Sequence, residues 1–472
     1  MNSKLKSVYK PEDFNVVGHE LIELLTNYLK DSEEMKIPVM NWHEPSDQLD
    51  YWKKFTKESN DPIELFKNII ERSIHLHHPK YMGHQICPPA PISALAGLLS
   101  ELLNNGMAIY EMGGAATAIE KVIIDIIARK IGYDENGDGF ITSGGTIGNL
   151  TAMLAARQNA VDSDIWEDGL NKNLGVMVSS EAHYSVDRAL RIMGFGSKGI
   201  IKIPVNDEFC IRTDLLDAYH KKAKKDGIVI IAVVGCAPST STGMYDDLES
   251  IAEFCKRKKL WFHVDGAHGG GAIFSTKYKH LLSGIEHADS VVIDGHKMLM
   301  TPALLTFVIF KKSEASYSTF NQKAQYLWEK NQDEEWFNMA RRTIECTKLM
   351  MSIKFYSILI THGEDIFDKS VTHLYDLGFE FAEKIKKRGK FELALVPHSN
   401  IVCFRYIREG YSDDELDKLN IEIRNKILID GEFYIVQTTL NDVVFLRTTL
   451  INPATSSKVL NELLDKIEEI GK

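Results

Sequence analysis

Three residues at the ends of apolar, β-rich runs could do chemistry together. Asp265 lies in "LWFHVDGA", Lys297 ends "SVVIDGHK", and His183 ends "LGVMVSSEAH". Open parallel sheets collect ligands beyond the carboxyl ends of their strands, so these groups could share one site. A lysine amine can condense with an aldehyde. A carboxylate on a strand that would otherwise bury it wants a partner, and an imidazole can stack on a ring or handle a proton. A fourth stretch, "SGGTIGN" at residues 143–149, reads as a turn between a short strand, Phe140-Ile141-Thr142, and a helix beginning at "LTAMLAAR". Glycines there let an anion approach the free N–H groups of a helix N-terminus. The stretch lacks the G-x-x-x-x-G-K-[ST] pattern, which argues against a nucleotide P-loop.

An amine, a carboxylate and a phosphate turn, in this arrangement, match the needs of pyridoxal phosphate: a lysine for its Schiff base, an acid for its pyridine nitrogen and a cradle for its phosphate. Asp265 would keep the ring nitrogen protonated, because opposite charges stabilise each other. Lys297 is expected to have cationic neighbours that favour its free amine. Each residue alone has a duller reading. Lysines are usually solvated, Asp265 could cap a helix, and a lone histidine is more often a satisfied structural residue. Their occurrence together, in this order, carries the argument.

Two metal readings compete. Asp134, Asn136 and Asp138, followed by Gly139 and Ile141, resemble the start of a calcium loop. The twelfth position, where such a loop needs a bidentate carboxylate, is Gly145. The acidic half is therefore expected to be a turn, for which Asn-Gly and Asp-Gly are strong signals. "HLHHPKYMGHQIC" gathers His77, His78, His84 and Cys87, but nothing supplies the second half of a zinc site. No metal is expected.

The elements that must hold these residues alternate. Helical patterns dominate to about residue 130, including 16–30 and the run Ile119, Val122, Ile123, Ile126, Ile127, Ile131. Then "LGVMVSS", "GIVIIAVVG", "LWFHVDGA" and "SVVIDG" alternate with helical stretches, which implies an α/β fold with a mostly parallel sheet covered on both faces. After residue 355 the pattern becomes α+β and closes on a helix whose apolar stripe is Val459, Leu460, Leu463, Leu464, Ile467 and Ile470. We read an N-terminal helical segment at 1–85, a large α/β domain at 86–355 and a smaller α+β domain at 356–472. The 472 residues, 44% apolar and 26% charged, suit a globular chain with a large core. A net charge of −11 argues against a nucleic-acid partner. Six scattered cysteines without C-x-x-C pairs suit a reducing compartment. With no signal-peptide core and no membrane-length apolar run, a cytoplasmic location is expected and no membrane association.

"SGGTIGN", "EAHYSVDRA", "HVDGAHGG" and "DGHKML", in that order, resemble the pyridoxal-phosphate group II amino-acid decarboxylases, which include glutamate, 2,4-diaminobutyrate, cysteine-sulfinate and aromatic amino-acid decarboxylases. The resemblance runs from about residue 78 to about residue 450. It implies the aspartate-aminotransferase-like fold of pyridoxal-phosphate-dependent transferases. It further implies Lys297 as the Schiff-base lysine, Asp265 as the pyridinium partner, His183 stacked on one ring face and Ala267 against the other. Gly145, Thr146 and His296 would hold the phosphate with Asp294 nearby, and Thr240 would place a hydroxyl by the cofactor. Arg447 would receive a substrate carboxylate, Gln85 would lie in the substrate pocket, and His84 would line it. The family is dimeric, with the active site at the subunit interface.

One position departs from the family. Its decarboxylases carry a loop tyrosine that returns a proton after carbon dioxide leaves, and counting back from "TIECTK" puts Phe337 there. Phenylalanine cannot donate a proton. In some relatives a phenylalanine here accompanies reaction with dioxygen, giving an aldehyde, ammonia and hydrogen peroxide. Tyr326 is an alternative donor with a poorer match. Simple decarboxylation of an L-amino acid to an amine is the leading expectation and the oxidative outcome its alternative. A transaminase or carbon–carbon lyase on the same fold is a further one. The small Gly106 and Ala108 leave room for a bulkier substrate than glutamate.

Overall fold

The computed structural model describes residues 2–160, 165–320 and 336–472. Two compact units emerge: residues 85–379 with 395–402, and residues 1–84 with 380–394 and 403–472.

The first unit is built on a seven-stranded sheet. Its strands are β1 (Asp138–Thr142), β2 (Leu174–Ser179), β3 (Ile200–Ile203), β4 (Val229–Cys236), β5 (Trp261–Asp265), β6 (Ser290–Asp294) and β7 (Thr306–Phe310), in the order β1-β7-β6-β5-β4-β2-β3. Neighbours from β3 to β6 are parallel, and β7 runs antiparallel to both β6 and β1. The four apolar runs picked out in the sequence are β2, β4, β5 and β6. Both faces are covered, so β1, β2, β5, β6 and β7 are buried at every position. Leu150 and Met153 of helix Gly145–Asn159 and Val186 and Leu190 of helix Tyr184–Ile192 pack with Val176, Val234 and Val292 in one core. Cys236 pairs with Asp265 and Asp265 with Val292, so β4, β5 and β6 finish side by side.

Strand β1 lies at the sheet edge, where free backbone groups need partners. Side chains supply them. The Glu120 carboxylate accepts from the Ile141 amide at 2.9 Å, Lys348 donates to the Ile141 carbonyl at 2.7 Å, and Arg342 donates to the Gly139 carbonyl at 3.0 Å. Lys348 and Glu120 also pair with each other at 2.5 Å, both fully buried. The residues suggestive of calcium are otherwise engaged. Asp134 accepts from the Asn136 amide at 3.0 Å in a turn, and Asp138 pairs with Lys121 at 3.1 Å and Arg342 at 2.8 Å.

The second unit contains helix Pro11–Glu33 and most of a four-stranded sheet, β8 (Phe391–Leu393), β9 (Ile401–Tyr406), β10 (Val436–Leu440) and β11 (Val443–Thr449), ordered β10-β11-β9-β8. Asn441 and Asp442, both at positive φ, make the two-residue turn joining β10 to β11, and Arg447 sits opposite Val436. Residues from the chain's two ends meet here: Tyr81 bridges to Tyr434, and Lys80 pairs with Glu432 at 2.7 Å and Glu462 at 3.3 Å. The closing helix, Ser457–Ile470, buries Val459, Leu460, Leu463, Leu464 and Ile467 of the expected stripe. Among the described residues no helix is long and apolar enough to cross a membrane.

The Lys348–Glu120 pair is tested by removing one end. Lys348→Met strands a buried carboxylate and should lower stability by about 3–5 kcal/mol, whereas Lys348→Met with Glu120→Leu should recover much of the loss. The urea midpoints of the single and double variants measure this.

Candidate active site

Lys297, Asp265, His183, Asp294 and His296 line one cavity of about 290 Å³ in the larger unit, with Gly145, Thr146, Thr240 and Ala267. The carboxyl ends of β1, β5 and β6 deliver most of them. The glycine-rich stretch is shorter as a turn than expected, because the helix already starts at Gly145. Gly144 makes this possible with φ of 111°, a conformation suited to glycine. The amides of Gly145 and Thr146 therefore lie in the first turn of a fifteen-residue helix, where they have no intrahelical partners and the dipole favours an anion. Close approach also matters: a Cβ on Gly145 would sit 3.2 Å from both Asp294 oxygens.

Lys297, on the short helix Gly295–Met298, places its Nζ 3.0 Å from Asp294 Oδ2. The nearest charge is thus a carboxylate, which corrects the expectation of cationic neighbours. The cause is the helical spacing of three residues between Asp294 and Lys297. Asp294 also accepts from Thr306 Oγ1 at 2.5 Å, and its Oδ2 is 3.7 Å from His296 Nε2. His296 Nδ1 lies 2.8 Å from the Leu305 carbonyl, which anchors the ring.

Asp265 is satisfied differently. Its Oδ2 accepts from Asn149 Nδ2 at 2.9 Å and its Oδ1 from the Ala267 amide at 3.2 Å. Among the described residues it makes no salt bridge, so its charge is met by dipoles and remains open to an external cation. His183 caps the helix Tyr184–Ile192, with its Nδ1 accepting from the Ser185 amide at 3.3 Å. Burial pushes its pKa down against the opposing pull of Asp265, which keeps the ring neutral near neutral pH. An amide-lined anion site, an amine and an uncompensated buried carboxylate in one cavity fit pyridoxal phosphate.

The cavity also holds residues that sequence reasoning passed over. Asn149 ended the glycine-rich stretch, His268 lay inside "HVDGAHGG", and Ser143 and Leu304 also line the walls. Ser143 and Thr142 are held by Glu345, whose Oε1 accepts from Thr142 Oγ1 at 2.6 Å and Ser143 Oγ at 2.8 Å. Gln85 and Phe337 are not among the lining residues. Phe337 packs edge-on against Tyr110 with ring centroids 5.7 Å apart. His84 and Arg447 belong to the smaller unit, where burial pushes both pKa values down. Tyr326 lies outside the described residues.

Residues 54–407 match the model of the pyridoxal-dependent decarboxylase conserved domain. The chain belongs to this decarboxylase family. It is 29% identical over 420 residues to an L-2,4-diaminobutyrate decarboxylase of Acinetobacter baumannii, covering 86% of this chain and 82% of that one. It is 26% identical over 469 residues to an aromatic-L-amino-acid decarboxylase of Bacillus atrophaeus, covering 98% and 96%. The crystal structure of mouse CSAD shares the fold with a TM-score of 0.91 at 22% identity, over 98% of this chain and 99% of that one. The protein is thus a pyridoxal-phosphate-dependent amino-acid decarboxylase, a carboxy-lyase.

Burial makes this decarboxylase site sensitive to acid. His263, fully buried behind Asp265 on β5, is pushed down to about 4 from 6.5, with Asp265 opposing the shift. The unfolded chain then binds this proton before the folded one, so stability falls as pH drops from 6.5 towards 4. His263→Gln should flatten the fall of melting temperature over that window relative to the parent. Equal slopes would show that His263 contributes nothing to it.

Proposed function

We propose that this chain decarboxylates an L-amino acid to the corresponding amine, with Lys297 as the residue that holds the cofactor covalently. The observation that carries the reading is the convergence of Lys297, Asp265, His183 and the N-terminus of helix Gly145–Asn159 on one cavity. Pyridoxal phosphate, when bound, supplies the electron sink for the pair released as the bond to the carboxylate breaks. Asp265, held by Asn149 and Ala267, keeps a cationic ring nitrogen protonated. Gly145, Thr146 and His296 would hold the phosphate, and Asp294 orients the Lys297 amine at 3.0 Å. His183 and Ala267 line the cavity where they would flank the cofactor ring, and Thr240 would offer it a hydroxyl.

His84, Gln85 and Arg447 are the proposed substrate contacts. Gln85 is buried with no hydrogen-bond partner for its Nε2 among the described residues, which leaves a donor free. Arg447 carries a buried guanidinium suited to a carboxylate. A homodimer fits the surface of the larger unit. Helix Pro91–Leu103 exposes Leu95, Leu98, Leu99, Leu102 and Leu103, and Leu304 of the cavity wall is 47% exposed. So much exposed apolar surface favours a partner, which we assign to a second copy of this chain. All six cysteines are free thiols, in keeping with a cytoplasmic location.

Phe337 supports a second reading. Its ring supplies no proton at the position where the family's decarboxylases have a loop tyrosine, so dioxygen could divert the reaction to an aldehyde, ammonia and hydrogen peroxide. A product balance separates the two. The purified protein with added pyridoxal phosphate, in air, is given diaminobutyrate, glutamate, cysteine sulfinate and aromatic amino acids in turn. Amine matching carbon dioxide without peroxide supports plain decarboxylation. Peroxide and aldehyde matching carbon dioxide support the oxidative route, and Phe337→Tyr should then restore amine. Lys297→Ala should abolish turnover with every substrate. Leu99→Glu with Leu103→Glu should shift sedimentation from dimer to monomer, and an unshifted boundary would sink the proposed interface.

A further inference from the structure

Behind the cavity wall, hydrogen bonds run unbroken from Trp261 to His183, and their directions can be worked out one by one. Trp261 Nε1, which can only donate, lies 2.8 Å from Ser290 Oγ. Ser290 Oγ lies 2.8 Å from His263 Nδ1, and His263 Nε2 lies 3.0 Å from Asn149 Oδ1. Asn149 Nδ2 is 2.9 Å from both Asp265 Oδ2 and Ser185 Oγ, and Ser185 Oγ is 2.8 Å from His183 Nδ1. Trp261, Ser290, His263, Asn149, Ser185 and Asp265 are all buried, so solvent does not compete.

The end facing Asp265 decides the orientation of Asn149. An ionised carboxylate only accepts, so the group 2.9 Å from it must be the NH₂, and Oδ1 must face His263. His263 then donates from Nε2. Its Nδ1 faces the Ser290 hydroxyl at 2.8 Å and the Ser290 carbonyl at 3.2 Å; with burial keeping the ring neutral and its proton on Nε2, Nδ1 takes the hydroxyl proton at the shorter contact, while Ser290 Oγ accepts from the indole. The second Asn149 proton goes to Ser185 Oγ, which leaves the Ser185 hydroxyl proton for His183 Nδ1. The Ser185 amide points at the same nitrogen, at 3.3 Å. His183 therefore carries its proton on Nε2. Every donor in the chain points towards the site, and the chain branches at Asn149 to reach both groups.

We propose that His263 and Asn149 are positioning residues whose one-directional hydrogen-bond chain, anchored by Trp261 and Ser290, fixes Asp265 as an acceptor and His183 in its Nε2–H tautomer. The carboxylate and the imidazole are then set through one shared group, the Asn149 NH₂, which donates one proton to Asp265 and the other to Ser185. This inference rests on the proposed pairing of Asp265 with the cofactor's ring nitrogen, and the test separates the two.

The experiment compares the holoenzyme with His263→Leu, His263→Gln, Ser290→Ala and Asp265→Asn. Two quantities are read: the affinity for pyridoxal phosphate, and the pH dependence of the bound cofactor's visible absorbance. Losing a buried hydrogen bond to a charged network should weaken cofactor affinity in His263→Leu about tenfold or more and displace the absorbance midpoint. His263→Gln, which can still donate to Asn149 Oδ1, should return both towards the parent. Ser290→Ala, which removes one hydroxyl and little volume, should move both in the same sense by less, and it serves if His263→Leu does not fold. Asp265→Asn should change both strongly. If it changes neither, the pairing of Asp265 with the cofactor is wrong. If Asp265→Asn changes both while His263→Leu and Ser290→Ala match the parent, or if His263→Gln behaves like His263→Leu, the positioning chain is overturned.

Discussion

Two carboxylates, Asp265 and Asp294, are buried in one cavity, and most of the site follows from keeping both satisfied. An unpaired buried charge costs several kcal/mol, so each must recruit partners. Asp294 does so with a cation, Lys297 at 3.0 Å, and a hydroxyl, Thr306 at 2.5 Å. Among the described residues Asp265 does so with neutral N–H groups alone. The difference leaves one acid internally neutralised and the other with charge to offer. That asymmetry suits a cofactor that brings a cationic ring nitrogen and a phosphate, with the anion received by the helix N-terminus at Gly145 and Thr146.

The strands that deliver these groups are largely apolar, and apart from His263 in the middle of β5 their polar residues lie at strand ends. Edge strand β1 shows how the fold manages unpaired backbone groups. Its outward backbone groups are met by Glu120, Lys348 and Arg342, and the same segment leads directly into Ser143 and the phosphate turn. Glu345 then ties Thr142 and Ser143 to the stretch that follows Phe337. Stability of the edge and placement of the turn are therefore linked through a few buried polar contacts.

Much of this was legible in the residues. The runs ending at Asp265 and at Asp294 are strands, and Asp265, Lys297 and His183 do meet in one cavity, because a hydrophobic run followed by polar residues marks a strand end whatever its neighbours. The helix start was legible less well. "SGGTIGN" read as a turn throughout, yet only Ser143 and Gly144 make the turn and Gly145 already belongs to the helix, since glycine propensity says nothing of where a helix is nucleated by its surroundings. The neighbour of Lys297 was misread for a related reason: the charge beside an amine depends on helical spacing and rotamers.

What the sequence determined by itself was the inventory and its order: which strands end in an acid, where the lysine follows, and that a glycine-rich turn precedes a helix. Those are properties of local periodicity and residue type. Only the tertiary structure decided that Asn149 links Asp265 to His263 and to Ser185, and that Glu120 and Lys348 complete β1. It alone brought Tyr81 to Tyr434. These pairings join residues far apart in the chain, and each is selected by the need to satisfy a buried polar atom with whatever group the packing brings within reach.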